Sequence, residues 1–354
     1  MIAYDPASAG RRMKAEMDEQ PAVLASSVAR FDTVAAEVRE LVANGVAGVA
    51  FLARGSSDNA AVLGRYAVEL SSGLPTCLVA PSLSTAYDRF PRGFGGWLVV
   101  ALSQSGQTPE IVHLAEAFVT AGAKVVGVTN DERSGLASAA HLSIALEAGR
   151  EVAVPATKTV TAQMLAMLAV AAGLGAAGRP GVLTTRDLAA LPEAVGAVLA
   201  DEGPVRDVAA QLAAYRRMAV VGRGFSYAAA LETALKLQET TGILAHGFST
   251  ADFRHGPVAV CGPDAPGVLL AGSNPADADT RDVRKVLDDR GAPSVLVGTA
   301  ADGAVPHLTW SALGGPAECI LATVRGQQLA IETSRCLGID PDQPAGLNKV
   351  TLTH

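Results

Sequence analysis

The sequence predicts an α/β protein made of two tandem, doubly wound parallel sheets, and three observations carry that expectation. Short apolar runs of strand type alternate with amphipathic stretches of helical length, as where Leu98–Leu102 is followed by 111–121. The junctions are glycine-bearing polar turns, such as Arg54-Gly55-Ser56-Ser57 and Ser103-Gln104-Ser105-Gly106. The pattern then recurs 169 positions later. Ala53-Arg54-Gly55-Ser56-Ser57 returns as Gly222-Arg223-Gly224-Phe225-Ser226, and Gly73 and Gly122 meet Gly242 and Gly291 at the same offset.

From the amino terminus, residues 1–20 carry Arg11, Arg12, Lys14, Glu16, Asp18 and Glu19 around no apolar core, unlike a signal peptide. A helical segment over 1–30 is expected. An apolar strand over 46–52 enters the Arg54-Gly55 turn, where glycine permits positive φ and close backbone approach. The strand Leu98–Leu102 stops abruptly at Ser103-Gln104-Ser105-Gly106-Gln107-Thr108. Pro109 and Glu110 open the next helix, because proline suits the first turn and an acid there faces the positive end of the helix dipole. Gly122 precedes a strand over 124–128. Residues 161–178, rich in alanine and carrying Gln163, read as a buried helix rather than a membrane span. Gly178-Arg179-Pro180-Gly181 and Gly203-Pro204 flank a helical linker. A strand over 218–221, the Arg223-Gly224 turn and a strand over 294–297 follow. The expected divisions are a helical segment 1–30, a first subdomain 31–178, a linker 179–203, a second subdomain 204–340 and a tail 341–354.

A chain of 354 residues, 49% hydrophobic but only 4% aromatic, can build two cores in which small aliphatic side chains let helices lie close to sheets. The net charge of −7 argues against a nucleic-acid partner, which would call for a basic face. An anionic ligand must then be held by local donors rather than drawn in by the overall field. Four cysteines, Cys77, Cys261, Cys319 and Cys336, show no paired spacing, and a reduced, cytoplasmic setting is expected.

The turn after Leu102 is the first candidate site. Backbone N–H groups at a helix start favour an anion, and Ser103, Gln104, Ser105 and Thr108 add side-chain donors without lysine or metal. Such a cradle suits a phosphomonoester on a small molecule. A nucleoside triphosphate would call for a G-x-x-x-x-G-K-[ST] loop, and none is present. The Gly55 and Gly224 turns lack the full G-x-G-x-x-G fingerprint, and no His/Cys/carboxylate spacing matches a metal site, so neither cofactor nor metal is expected. In the second half the turn reads Gly272-Ser273-Asn274-Pro275, and Pro275 removes a backbone donor. That half instead carries Lys236, Glu239, His246 and His255. Glu232, Lys236 and Glu239 share a helix face. On spacing alone Glu232 and Lys236 read as an ordinary solvated pair, whereas Glu239 stands at the helix end before Gly242, where burial could make it a base. His255 precedes the rigid Gly256-Pro257 turn and is the residue type suited to moving protons near neutral pH. His246 reads as structural, and His113 and His141 have no evident role. The tail Asp342-Gln343-Pro344 to Val350 mixes apolar and polar residues, so it can dock and bring Lys349 to a pocket.

These motifs together resemble the sugar isomerase (SIS) domain family. The resemblance runs over almost the whole chain, through Glu16-Met-Asp-Glu-Gln-Pro21, Arg54-Gly-Ser-Ser57, Ser103 to Thr108, Thr157-Lys158, Ala230 to Glu239, His255-Gly-Pro257 and Asp342 to Lys349. Within the family the chain is most similar to the isomerase half of glucosamine-6-phosphate synthases and to SIS-type glucosamine-6-phosphate deaminases. The resemblance implies two flavodoxin-like subdomains and a homodimer with a shared active site. It implies that Ser103, Gln104, Ser105 and Thr108 hold a sugar 6-phosphate, with Ser57 near the sugar and the backbone at Val154 lining the pocket. Glu239 would shuttle a proton between C1 and C2, and Lys236 would support it. His255 would help open the ring from a second subunit, and Lys349 would meet the open-chain carbonyl end.

The chain departs from the synthase pattern in places. Lys-Leu-Lys-Glu becomes Lys236-Leu-Gln-Glu239, and Ala-Ser-Thr-Lys becomes Pro155-Ala-Thr-Lys158, with one hydroxyl fewer. Met1-Ile2 stands almost directly before the sugar module, so no built-in glutamine-derived ammonia is expected, and the Leu347-Asn-Lys349-Val-Thr tail is more similar to the deaminases. The expected reaction converts glucosamine 6-phosphate and water to fructose 6-phosphate and ammonia. The alternatives are an aldose–ketose isomerase or deglycase on another phosphosugar, or a phosphosugar-binding module without chemistry. A hexosamine or hexose 6-phosphate is the expected ligand, with no membrane or nucleic-acid partner.

Overall fold

Strands that are covered on both faces must be apolar throughout, and that is the pattern of the central strands. The computed structural model describes residues 9–90, 92–300, 307–344 and 346–349. It contains two five-stranded sheets, parallel throughout. The first comprises β1 (Val49–Leu52), β2 (Thr76–Leu78), β3 (Leu98–Leu102), β4 (Lys124–Thr129) and β5 (Leu142–Ala145), in the order β2-β1-β3-β4-β5. The second comprises β6 (Arg217–Gly222), β7 (Leu244–Ser249), β8 (Gly267–Ala271), β9 (Ser294–Gly298) and β10 (Leu308–Thr309), in the order β10-β9-β8-β6-β7. Read from the opposite edge, the second order repeats the first, so the sequence repeat is a repeat of topology.

Contacts divide the chain into two compact units. One holds Val23–Arg150 and Thr159–Thr184; the other holds Glu151–Lys158, Thr185–Lys349 and the described residues up to Ala22. In the first unit Ala50, Leu52, Val99, Ala101 and Val125 pack under Ile111, Leu114, Ala115 and Phe118 of the helix Pro109–Thr120. Those four recur at helical spacing and so present one apolar stripe to the sheet. The expected strand over 46–52 is shorter, beginning at Val49, because Gly48 lies under the Trp97 ring and Ala47 donates instead to Gly96.

In the second unit Ala219, Val221, Leu269, Ala271 and Leu296 pack with Val283 and Leu287 of the helix Asp277–Asp289. The helix Phe225–Thr241 packs on β6 and β7 and also against the helix Ala317–Cys336. It is therefore covered on several sides, and Ala228, Ala229, Ala230, Thr233 and Ala234 keep it narrow enough for close approach. The helices Ser56–Ser72 and Phe225–Thr241 are both 17 residues long. Each follows a glycine at φ 59°, Gly55 or Gly224, and each ends at a left-handed glycine, Gly73 or Gly242.

In each sheet the first and third strands lie side by side while their connections leave in opposite directions. Open parallel sheets take ligands at the carboxyl ends of such a strand pair. The Arg54-Gly55 and Ser103–Thr108 turns occupy that place at β1 and β3, and the Arg223-Gly224 and Gly272–Asn274 turns occupy it at β6 and β8. Among the described residues no helix is long and apolar enough to cross a membrane.

Candidate active site

The hydroxyl-rich turn belongs to the first unit. The Ser103 hydroxyl accepts from the Gly106 amide at 3.1 Å and lies 3.3 Å from the Thr108 hydroxyl, and the Ser105 hydroxyl accepts from the Gln107 amide at 3.2 Å. Gly106 sits at φ 63° against Ser134 and Thr129, so a side chain there would meet both strain and collision. Thr108 precedes the helix Pro109–Thr120 in extended conformation without capping it through its side chain, which leaves the hydroxyl facing Ser103. The backbone amides of Gln104 and Ser105 donate to no protein acceptor among the described residues. The structure thus brings Ser103, Gln104, Ser105 and Thr108 into one turn with free donors at a helix start, a geometry suited to an anion. Ser57, buried at the start of the helix Ser56–Ser72, donates to Gln163 at 3.1 Å.

Glu110 is a residue whose part the sequence did not disclose. Its carboxylate takes Arg54 in two hydrogen bonds, 2.9 and 3.1 Å, and so braces the turn after β1 against the helix after β3. In the second unit Arg223 pairs with Asp279, and both of those positions stand 169 beyond Arg54 and Glu110. That shared offset was the available signal.

The acid–base candidates belong to the second unit. Lys236 donates to Glu239 and lies 3.4 Å from Glu232. The pairing is not a solvated one: Lys236 and Glu232 are each 0% exposed, on a helix that packs against β6, β7 and the helix Ala317–Cys336. The Glu239 side chain keeps 20% of its surface accessible, so of the three it is the one open to solvent. Burial pulls the Lys236 ammonium down, but the Glu232 and Glu239 carboxylates, with Glu151 beyond them, outweigh it and hold the group above the ordinary lysine value. Lys236 therefore remains a cation at neutral pH. Its hydrogen bond holds the Glu239 carboxylate.

Lys349, on the tail, donates to Glu151 at 2.6 Å, and the other Glu151 oxygen accepts from the Thr157 amide at 3.0 Å. Glu151 was not found from sequence, since nothing in its spacing sets it apart from other loop acids. Its loop, which includes the half-buried Val154, is held by the amino-terminal helix Arg11–Asp18. Glu16 accepts from the amides of Val152 and Ala153, the second at 3.2 Å, and Lys158 pairs with Glu19 at 2.6 Å. The start of the same helix donates from Arg12 and Met13 to Asp342, both at 2.8 Å, which docks the tail. Residues 350–354, at the end of the tail, lie outside the described residues.

Glu16→Ala should cost about 1–3 kcal/mol, because two loop amides lose their acceptor, while Glu16→Gln, which keeps one oxygen, should cost less. Burial raises the Glu16 carboxyl, Glu151 adds to the rise, and the Val152 and Ala153 amides oppose it. A raised acid contributes stability that is fully present below its ordinary 4.5 and is lost as pH rises through the folded value. Glu16→Gln should therefore improve relative to the parent as pH rises from 4.5 to 8, read as urea midpoints. Parallel midpoint curves across that range would refute this.

His255 is exposed at the end of the helix Thr250–Arg254, with Gly256 at φ 141° after it. His113 stacks edge-on with Phe90, His141 accepts from the Val125 amide, and His246 packs on Phe248, all structural roles. Burial pushes the Cys319 thiol up to about 12, which removes it as a nucleophile.

A family model described as the SIS domain matches residues 48–173 and 211–308, more than half of the chain and nearly all of both sheets. The chain belongs to the SIS domain family. A solved protein from Silicibacter pomeroyi DSS-3, described as a "putative phosphosugar isomerase", is 30% identical and superposes with a TM-score of 0.80 over 94% of this chain and 99% of that one. A glutamine–fructose-6-phosphate aminotransferase (isomerizing) of Methanothermobacter thermautotrophicus is 28% identical over 95% of this chain. The chain spans 56% of that relative's length. The tagatose-6-phosphate ketose/aldose isomerase of Escherichia coli shares the fold, with a TM-score of 0.81 over 100% of both chains at 20% identity.

Proposed function

We propose that this SIS chain is a phosphosugar isomerase, and that its reaction converts glucosamine 6-phosphate and water to fructose 6-phosphate and ammonia. The observation that carries the reading is the buried Glu232–Lys236–Glu239 cluster with the Glu151–Lys349 pair in its electrostatic field. A cation held away from water and bound to one partly accessible carboxylate is a proton-transfer device, and such burial is costly in a protein that only binds.

On this reading the Ser103–Thr108 turn anchors the 6-phosphate, and Ser57 and Val154 face the sugar. His255, from a second copy in a homodimer, assists ring opening. Glu239 takes the proton from C2 of the open-chain aldehyde and returns it to C1, which leaves a ketose imine at C2. Water adds to that imine and ammonia leaves. Lys236 orients Glu239, and Lys349 meets the oxygen at C1. Positioned acid–base groups supply a rate factor of about 10² to 10⁴, and phosphate binding energy orients the reacting end. A simple aldose–ketose isomerase would use the same groups and release no ammonia.

Incubation with a panel of hexosamine and hexose 6-phosphates, with ammonia and ketose followed together, tests the reading. Ketose without ammonia would make it a simple isomerase, and stabilisation by the sugars without product would make it a binding module. Ser103→Ala with Ser105→Ala should lower kcat/KM through KM. Hydrogen bonds to a charged group are worth about 1.5–3 kcal/mol each, so about tenfold or more is expected per hydroxyl. An unchanged KM for the double variant would remove the phosphate from this turn.

A further inference from the structure

The repeat sets the turn after β8 in register with the hydroxyl-rich turn after β3. Positions 169 apart match Gly272-Ser273-Asn274 to Ser103-Gln104-Ser105, Asp277 to Thr108 and Ser226 to Ser57. The amides of Gln104 and Ser105 have no protein acceptor among the described residues. Their counterparts are all engaged, and every acceptor is a carboxylate. Ser273 donates to Glu318 from its amide and from its hydroxyl, both at 2.6 Å. Gly272 donates to Asp277 at 2.9 Å and Asn274 at 3.3 Å, and the Ser226 hydroxyl also bonds Asp277. The Gly314 amide completes the ring at 3.2 Å from Glu318. Glu318 and Asp277 are 1% and 0% exposed. Three successive backbone amides and two hydroxyls thus converge on two buried anions, the donor set a phosphate would meet.

We propose that the second half keeps an anion seat of the same kind as the first, and that Glu318 and Asp277 occupy it as a built-in anion, so that each chain offers one phosphate-monoester seat instead of two. Glu318 stands in the first turn of the helix Ala317–Cys336, which packs against the helix that carries Glu232 and Lys236. The built-in anion therefore ties the start of the helix Ala317–Cys336 to the sheet. A ligand free to come and go could not do so. Pro275 stands in place of Gly106, whose amide donates to Ser103 in the first turn, so the second turn lacks that internal brace.

The test is the full chain carrying Asp277→Thr, the first-half residue, together with Glu318→Ala, with inorganic phosphate as the probe in equilibrium dialysis. The double variant is expected to bind one phosphate per chain more than the parent. That phosphate should be displaced by sulfate but not by chloride, and should survive Ser103→Ala and Ser105→Ala. A double variant with native circular dichroism and elution volume that binds no more phosphate than the parent overturns the proposal, as does a parent that already binds two. If the variant does not fold in chloride, it should refold in phosphate of equal ionic strength, and failure in both salts also overturns it. The catalytic reading stands or falls separately. A parent that binds no phosphate at all would count against the first seat, while the phosphate added in the variant would still establish the second.

Discussion

Replacing Glu239 by glutamine should lower kcat by about 10² to 10⁴ while binding of the sugar phosphate survives. The separation follows from geometry. Glutamine keeps the size and a hydrogen bond to Lys236 but cannot accept the C2 proton, and the phosphate donors lie on a different turn, Ser103–Thr108. An interaction used only in the transition state lowers kcat and kcat/KM together and leaves ground-state affinity intact. The measurement is steady-state ketose and ammonia release beside equilibrium binding of the substrate. Turnover within a few-fold of the parent would remove Glu239 as the base. Loss of binding and turnover together would show that the carboxylate holds the ligand and does no chemistry.

Lys236→Met should be the most damaging single change to stability. Methionine fits the stem but leaves the Glu232 carboxylate, 0% exposed, without its ammonium partner. Breaking a buried pair by removing one member costs about 3–5 kcal/mol. In the variant the cost is largest when Glu232 is ionised and shrinks as falling pH protonates it. The urea midpoint should therefore drop strongly at pH 8 and much less at pH 5. Adding Glu232→Gln should restore a large part of the loss at pH 8, because the stranded charge is gone. In the parent the sign is the reverse. The raised lysine contributes stability that is complete below 10.5 and fades as pH rises through the higher folded value. A Lys236→Met protein as stable as the parent at pH 8 would mean that water reaches this cluster.

The two parallel sheets were legible because the strands and the turns after them leave a mark in the sequence. Leu98–Leu102 is apolar without alternation, as a strand covered on both faces must be, and the 169-residue recurrence of Gly55 and Gly73 marks the ends of two equivalent helices. The turn Ser103–Thr108 was legible for the same local reason, since its strand, its glycine and its Pro109 are contiguous. Glu151 and Glu16 were not, because their partners stand far along the chain. Lys349 is 198 positions from Glu151, and Val152 is 136 positions from Glu16. Such pairs carry no spacing rule.

By itself the sequence determined two parallel sheets, their doubling and the hydroxyl-rich turn, since strand, turn and cap chemistry act over a few residues. Only the tertiary structure decided what covers each face. Helical spacing placed Glu232 and Lys236 side by side and left them looking solvated, whereas both are buried in a helix that packs against β6, β7 and the helix Ala317–Cys336. The second turn, likewise, differs from the first less in its own residues than in Glu318, which arrives from 45 positions away and fills it. Periodicity reports which residues share a face. Burial, and with it charge, partner and chemistry, depends on the distant segment that packs there.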